Sequence, residues 1–358
     1  MGSVTKNRPE NSKLKTQNSK LLIQACLKQP TLRTPVWFMR QAGRYMQEYR
    51  KIRSRWSIKE ISKNPELCAE VTLQPVAKLE VDAAIIFSDI LLLAEPLGFR
   101  FDYAKAVGPV FQNPILGQDD VDRLPFFDVR EKMDFMFRAL KLVKKKLPDG
   151  IALVGFAGAP FTLASYLIEG GHSDHYLKTK ELMHQNPKAW QNLMEKLTRL
   201  TADYLAAQAA SGADVVQIFD SWAGCLSAHD YEEFVLSHNQ TIVNELKKRR
   251  VPVIYFSTGT TGYPEIIKKT GADVISVDWR TSLAESWRRL GYDAAIQGNL
   301  DPALLRNGPV KAIVRQTQKI LQEANKRPGH IFNLGHGILP DTPVEHARAV
   351  VAAVKQWK

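Results

Sequence analysis

Short apolar runs, rich in β-branched and aromatic residues and each followed by polar groups or glycine, recur along the chain at residues 36–39, 83–87, 151–155, 215–219, 253–256, 274–277, 294–296 and 331–334. Runs of this length and composition read as β-strands. Between them, apolar residues return at helical spacing over 65–78, 129–146, 189–210, 231–249, 263–270, 282–290 and 310–325, and a last helix, 343–357, follows the eighth strand. Gly-Ala-Asp stands before two of the strands, at 212–214 and 271–273, and Glu80-Val81-Asp82-Ala83 and Gly291-Tyr292-Asp293-Ala294 play a similar part. Eight βα units predict an α/β fold, a closed (βα)8 TIM barrel in a single domain over residues 21–358, preceded by a flexible N-terminal extension, 1–20. A doubly wound open sheet is the main alternative. It usually needs fewer parallel strands, and no G-x-G-x-x-G follows the first strand.

A barrel makes a sharper prediction, because its chemistry gathers where the strands end. Strand one is followed by Arg40, Gln41 and Arg44, strand two by Ser88 and Asp89, and strand three by Gly158, Ala159, Pro160 and then Tyr166. Strands four to eight are followed by Asp220-Ser221-Trp222, Ser257-Thr258-Gly259, Asp278-Trp279-Arg280, Gln297-Gly298-Asn299 and Gly335-His336-Gly337. A polar residue after a strand is commonly a turn former or a helix cap. The signal is the concentration of such residues around one expected rim.

Charge narrows the substrate. The 358 residues carry a net charge of +12, a balance that suits nucleic acid, an anionic surface or a polyanionic small molecule. The basic residues are dispersed, and the two runs, Lys144-Lys145-Lys146 and Lys247-Lys248-Arg249-Arg250, close expected helices, where positive charge is favourable. No apolar run reaches the ~18 residues of a membrane span. The three cysteines form no disulfide framework, and the polar first 20 residues lack the apolar core of a secretory signal. These features place the protein in the cytoplasm, or in the plastid stroma if the chain is a processed organellar enzyme.

Arg40 and Arg44 are four residues apart, so a helical turn would aim both guanidinium groups into one cavity, where their planar forks suit carboxylates. Arg53 and Arg50 would extend the basic mouth. Asp89 follows the very apolar stretch Ala84-Ile85-Ile86-Phe87, and a carboxylate there needs donors or a cation around it. It could accept substrate N–H groups or stabilise a developing positive charge. His336, between two glycines, could bind a carboxylate or exchange a proton. Tyr166 and Ser221 are neutral donors. Ser221 lacks a G-x-S-x-G setting, Cys225 and His229 lack further zinc ligands, and neither H-E-x-x-H nor a P-loop is present.

The stretches Pro35-Val36-Trp37-Phe38-Met39-Arg40-Gln41-Ala42-Gly43-Arg44-Tyr45-Met46 and Gly155-Phe156-Ala157-Gly158-Ala159-Pro160-Phe161-Thr162-Leu163-Ala164-Ser165-Tyr166 resemble the two signatures of the uroporphyrinogen decarboxylase family. Ile86–Leu91, Phe219–Gly224 and Asn333–Ile338 match further segments, in order, so the resemblance runs from about residue 20 to 356. It implies an (αβ)8 barrel acting as a homodimer, with no metal or organic cofactor. It implies removal of four acetate carboxyl groups from uroporphyrinogen to give coproporphyrinogen, on the way to haem and, in suitable organisms, chlorophyll. By the same resemblance Asp89 accepts the pyrrole N–H groups, and Arg40, Arg44, His336, Tyr166 and Ser221 meet the carboxylates. Arg53 lies near the cleft, Arg40 delivers the proton, and Phe38 and Phe156 form apolar walls with Gly155 and Gly158 allowing close approach. Gln41 is grouped with the substrate contacts. The alternatives are a related barrel methyltransferase using zinc and a corrinoid, which would carry a His/Cys/Cys set, and a non-catalytic tetrapyrrole- or nucleic-acid-binding protein.

Overall fold

A computed structural model describes residues 20–104 and 108–357. Seven parallel strands form one curled sheet. They are β1 (Ala83–Ile85), β4 (Ala152–Gly158), β5 (Val215–Asp220), β6 (Val253–Ser257), β7 (Val274–Ser276), β8 (Ala295–Leu300) and β9 (His330–Leu334), paired in that order. Two further strands, β2 (Phe101–Ala104) and β3 (Gly108–Phe111), pair antiparallel beside it. All residues of β4 and β6 to β9 are buried, as expected of a parallel sheet covered by helices.

The expected first strand is corrected. Residues 36–39 form no continuous ladder, and only Val36 makes a parallel bridge, to Phe332. The backbone donors of this segment are taken by side chains instead: Phe38 N–H donates to Gln41 Oε1 at 3.1 Å and Met39 N–H to Asn333 Oδ1 at 3.1 Å. The segment nevertheless bonds to both outer strands. Phe332 N–H donates to Pro35 O at 2.9 Å and Trp37 N–H to Phe332 O at 3.3 Å, while Asp82 N–H, just before β1, donates to Val36 O at 2.8 Å. Inside the sheet, Trp37 Nε1 donates to Gln297 Oε1 at 3.0 Å, and Gln297 Nε2 reaches Gln217 and Ser276 at 3.1 and 3.0 Å. Gln297, expected just beyond a strand, therefore lies within β8 and fills the interior.

Three of the four aspartates before the strands have one shared task, whereas Asp293 is exposed and pairs with Lys268. Asp82, Asp214 and Asp273 each accept the backbone N–H that opens a neighbouring stave, from Val36, Leu153 and Val253, all at 2.8 Å. The residues Gly-Ala-Asp thus turn the chain into a strand and pin the adjacent one. Asp214 also pairs with Lys20 and Lys144 at 2.6 Å, so Lys144 does more than complement a helix end.

The helices match the periodic segments, with two breaks. The stretch 129–146 divides into Val129–Lys132 and Asp134–Lys146, and 231–249 into Ala228–Phe234 and Leu236–Lys248. At the second break the Phe234 carbonyl accepts Trp190 Nε1 at 3.2 Å rather than serving the helix ladder. Helices Pro160–Glu169 and Leu177–Gln185 and the β2–β3 pair were not expected. No described helix is long and apolar enough to cross a membrane.

Candidate active site

The site grows from the exit of β1. The helix Pro65–Leu79 fixes that exit: Phe87 N–H donates to Thr72 Oγ1 at 2.9 Å, and Cys68 Sγ donates to Phe87 O at 3.1 Å. Asp89 follows and caps the short 3-10 turn Ile90–Ala94, its Oδ1 accepting Leu91 N–H at 2.7 Å. The turn behind it is apolar and buried from Leu91 to Ala94. Burial pushes the Asp89 carboxyl pKa upward, opposed by the Tyr103 hydroxyl, the Leu91 N–H and the charges of Arg40 and Lys59.

Arg40 stands opposite, where the chain leaves the residue 36–39 segment. Its φ of 58° lies in the left-handed region, an uncommon conformation for arginine. Gln41 holds the turn. It is fully buried, with Nε2 donating to Ala83 O at 2.9 Å and Oε1 accepting Phe38 N–H. Tyr45 Oη donates to Gln41 O at 2.6 Å. Arg40 does not begin a helix, since the next one starts at Gln47. Its aliphatic stem crosses Gly337, where a Cβ would come within 2.4 Å of Arg40 Cδ. Close approach, rather than an unusual backbone angle, is what requires glycine there.

His336 adjoins that crossing. Gly337 N–H donates to His336 Nδ1 at 2.7 Å, so the neutral ring carries its proton on Nε2. Burial, then the positive charges of Arg40 and Arg280, lower its pKa to about 4, with Asp278 opposing. Free His336 should therefore stay neutral across the neutral range and gain a proton only near pH 4, so an NMR titration of its imidazole should be flat above about pH 6. Tyr166 projects from Pro160–Glu169 beside Trp222, ring centroids 5.7 Å apart. Burial, and secondarily the Asp89 charge, push its phenol up to about 12, with Arg40 opposing. It is a neutral donor at physiological pH.

Thus Asp89, Arg40, Tyr166 and His336 come together. Arg44 and Arg53 line an open pocket of about 690 Å³ with Arg50, Tyr45 and Pro340–Thr342. Ser221 is half-buried, its carbonyl accepting Thr258 Oγ1 at 2.6 Å. Asp220 is fully buried and bound by Thr162 and Tyr255 hydroxyls at 2.8 and 2.5 Å. Three expectations are corrected. Phe38 is wholly buried and offers no wall. Gly155 faces the Gln208 side chain, 2.5 Å from where its Cβ would be, and Gly158 faces Leu163 and Ile90. Both glycines serve helix packing. Gln41 has both ends of its carboxamide occupied by backbone, so it supports the site from beneath. Phe156 is 8% exposed and begins a row of edge contacts through Phe219 and Phe256 to His336, with centroids 5.4, 5.5 and 5.7 Å apart.

The family model described as uroporphyrinogen decarboxylase (URO-D) matches residues 17–357. A protein of that name from Chloroflexus aurantiacus is 52% identical over 339 residues, covering 94% of this chain and 95% of its own length. Another, from Sorangium cellulosum, is 50% identical over 93% of this chain and 95% of its own. The chain belongs to the uroporphyrinogen decarboxylase family. Among solved structures, a methyltransferase from Methanosarcina mazei superposes with a TM-score of 0.80 at 22% identity, over 94% of this chain and 99% of its own. That likeness shows a shared α/β fold.

Family membership agrees with the resemblance carried by the sequence segments around Arg40, Asp89, Tyr166, Ser221 and His336. Among the described residues no cluster of three His, Cys, Asp or Glu side chains is arranged for a metal. His229 instead pairs with Glu233 at 3.1 Å on an exposed helix face. Sequence reasoning missed Tyr103, Lys59 and Phe219 near the site. The alternation Phe101-Asp102-Tyr103-Ala104, buried at Phe101, exposed at Asp102 and half-buried at Tyr103, is the signal that could have found the first.

One prediction belongs to the Gly337 crossing. Gly337→Ala should displace the Arg40 stem by about 1 Å and lower kcat/KM on the order of 10²-fold. Because the clash reaches Cγ at 2.6 Å and Cβ at 3.0 Å as well as Cδ, the left-handed turn at Arg40 must give too, and the thermal midpoint should also fall. Steady-state kinetics beside thermal unfolding would check both parts.

Proposed function

We propose that this chain decarboxylates uroporphyrinogen III, converting its four acetate arms to methyl groups and releasing coproporphyrinogen III and four CO2, with no metal or organic cofactor. One observation carries this reading: a carboxylate, Asp89, set in apolar surroundings and faced by a guanidinium, Arg40, and a neutral phenol, Tyr166. Asp89 accepts the pyrrole N–H groups. Protonation of the ring carbon next to an acetate arm makes the ring cationic, and the nearby carboxylate stabilises that charge. The C–CO2 bond then breaks, its electron pair flowing into the ring. The exocyclic carbon takes a proton, the ring carbon returns its own, and the net change is one H+ consumed for each CO2 released. The substrate's own electronics serve as the electron sink that a cofactor would otherwise provide.

Arg40 holds the departing acetate group and manages the ring proton. His336 binds. Its Nδ1 is already an acceptor for Gly337 N–H and its ring is neutral, so what it offers a carboxylate is Nε2–H. Tyr166 and Ser221 add neutral donors. Arg44 and Arg53, in the basic pocket, hold other carboxylates of the octa-acid. Phe156 and Phe219, the less buried phenylalanines of the aromatic row, form a floor under the macrocycle. In this reading residues 35–39 act as an eighth stave that closes the sheet into a single-domain barrel, supported by the bonds from Phe332, Trp37 and Asp82. The active form is a cytoplasmic homodimer, acting on a small polyacid rather than on nucleic acid or a membrane.

Anaerobic incubation of purified protein with uroporphyrinogen III, followed by chromatography of the oxidised products, tests this directly. Stepwise appearance of hepta-, hexa- and pentacarboxylate intermediates ending in the tetracarboxylate is expected. Unchanged octacarboxylate from folded protein would refute it.

A further inference from the structure

Asp89 is approached from the β2–β3 side by a group that neither the sequence segments around the rim nor the family resemblance assigns. Tyr103 sits on β2, in register with Pro109 of β3. The pair of strands is firmly docked. Phe101 stacks on Phe111 with centroids 4.8 Å apart, and Phe111 N–H donates to Gly170 O at 2.9 Å, at the end of the helix that carries Tyr166. Lys59 clamps the same strand. Its ammonium donates to the Phe101 carbonyl, lies 3.9 Å from the Phe101 ring centroid and pairs with Glu95 at 3.1 Å. Phe101 and Tyr103 meet edge to face at 5.8 Å. These contacts fix where the Tyr103 ring can point.

The Tyr103 hydroxyl is shielded from solvent and makes no hydrogen bond of ordinary geometry. A buried hydroxyl without a partner is costly. After burial itself, the strongest influence on this phenol is the Asp89 carboxylate, followed by weaker effects of Tyr166 and Glu95. On the carboxylate, Oδ1 is bound to Leu91 N–H. Oδ2 is the acceptor that remains.

We propose that Tyr103 is a positioning residue of this site: its hydroxyl donates to Asp89 Oδ2 and holds the carboxylate in the orientation that the pyrrole N–H groups require. The proposal rests on the reading of Asp89 given above and deepens it. The carboxylate is then gripped from two elements, by a backbone N–H from its own turn and by a phenol from β2, while its exposed side meets substrate. A carboxylate held this way is pre-organised, and its ionised form is favoured by each donor that faces it. The other groups facing it are Arg40 from the 36–41 segment, Lys59 from the helix Ile58–Lys63, and the Tyr166 phenol.

The test is Tyr103→Phe in the full chain, with kcat/KM measured against pH. Asp89 must be ionised to work, so activity is lost as pH falls through its pKa. Removing a donor to the ionised form raises that pKa, and the acid limb should move up by at least about half a pH unit, with a three- to tenfold loss at neutral pH on the order expected for one hydrogen bond. A merely structural role would alter the thermal midpoint and leave the limb in place. Asp89→Asn is assayed in parallel. If it is inactive while the Tyr103→Phe limb coincides with that of the unsubstituted protein, the role of Tyr103 is overturned and Asp89 stands. If Asp89→Asn turns over normally, the Asp89 reading fails and takes Tyr103 with it.

Discussion

Asp89→Asn should abolish most turnover while leaving the protein at least as stable. The loss expected in kcat is on the order of 10³-fold, the upper range for removing one electrostatic stabiliser from a preorganised site. Asparagine keeps an oxygen that can cap the Ile90–Ala94 turn through Leu91 N–H, and Asn caps as well as Asp. What it lacks is the negative charge that would face a protonated pyrrole. The stability part follows from sign. Burial raises the Asp89 pKa above that of an exposed carboxyl, so the folded state holds the proton more tightly than the unfolded one. Its contribution is therefore lost as pH rises through the unfolded and then the folded pKa, and at neutral pH the ionised group costs stability. Replacing it with a neutral isostere removes that cost. Activity and thermal midpoint measured on the same preparation would show loss of the first without loss of the second.

Arg40→Lys should lower kcat by about 10²-fold through the proton role and also raise KM through the lost carboxylate grip, so that kcat/KM falls further than kcat. Lysine keeps the charge but loses the planar fork that grips a carboxylate in two places. It also lacks the reach of a stem laid across Gly337. A rise in KM alone would mean that Arg40 only binds the acetate group, and its part in proton delivery would be withdrawn. The contrast with Gly337→Ala is useful, because that variant retains the guanidinium and moves it.

Much of this architecture was legible in the sequence because the physical signals are local. β-branched runs buried on both faces announced six strands of the sheet closely, and the Asp residues before β1, β5 and β7 marked strand entries because each pins a neighbouring stave. Asp89, Arg40, Tyr166 and His336 were readable as rim residues, since a parallel strand delivers the chain to one end of the sheet. The misreadings came from tertiary effects. An apolar run at 36–39 looks like any other strand, and only the side chains of Gln41 and Asn333 reveal why its donors leave the ladder. Gly155 looked like room for a ligand, but Gln208, more than fifty residues away, occupies that space. Phe38 was a wall only by the family resemblance, whereas its side chain is wholly buried and the chain turns into the left-handed region at Arg40 just after it. Tyr103 was passed over because the β2–β3 pair lies outside the βα repeat, and only the short alternation from Phe101 to Ala104 marks it.

The most direct test uses uroporphyrinogen III labelled with 13C in its acetate carboxyl groups and the unsubstituted protein freed of metals by a chelator. The account predicts that all four labelled carboxyls appear as 13CO2, at a rate that neither added metal nor added cofactor raises. Absence of labelled CO2, or release that returns only when a metal is supplied, would contradict it.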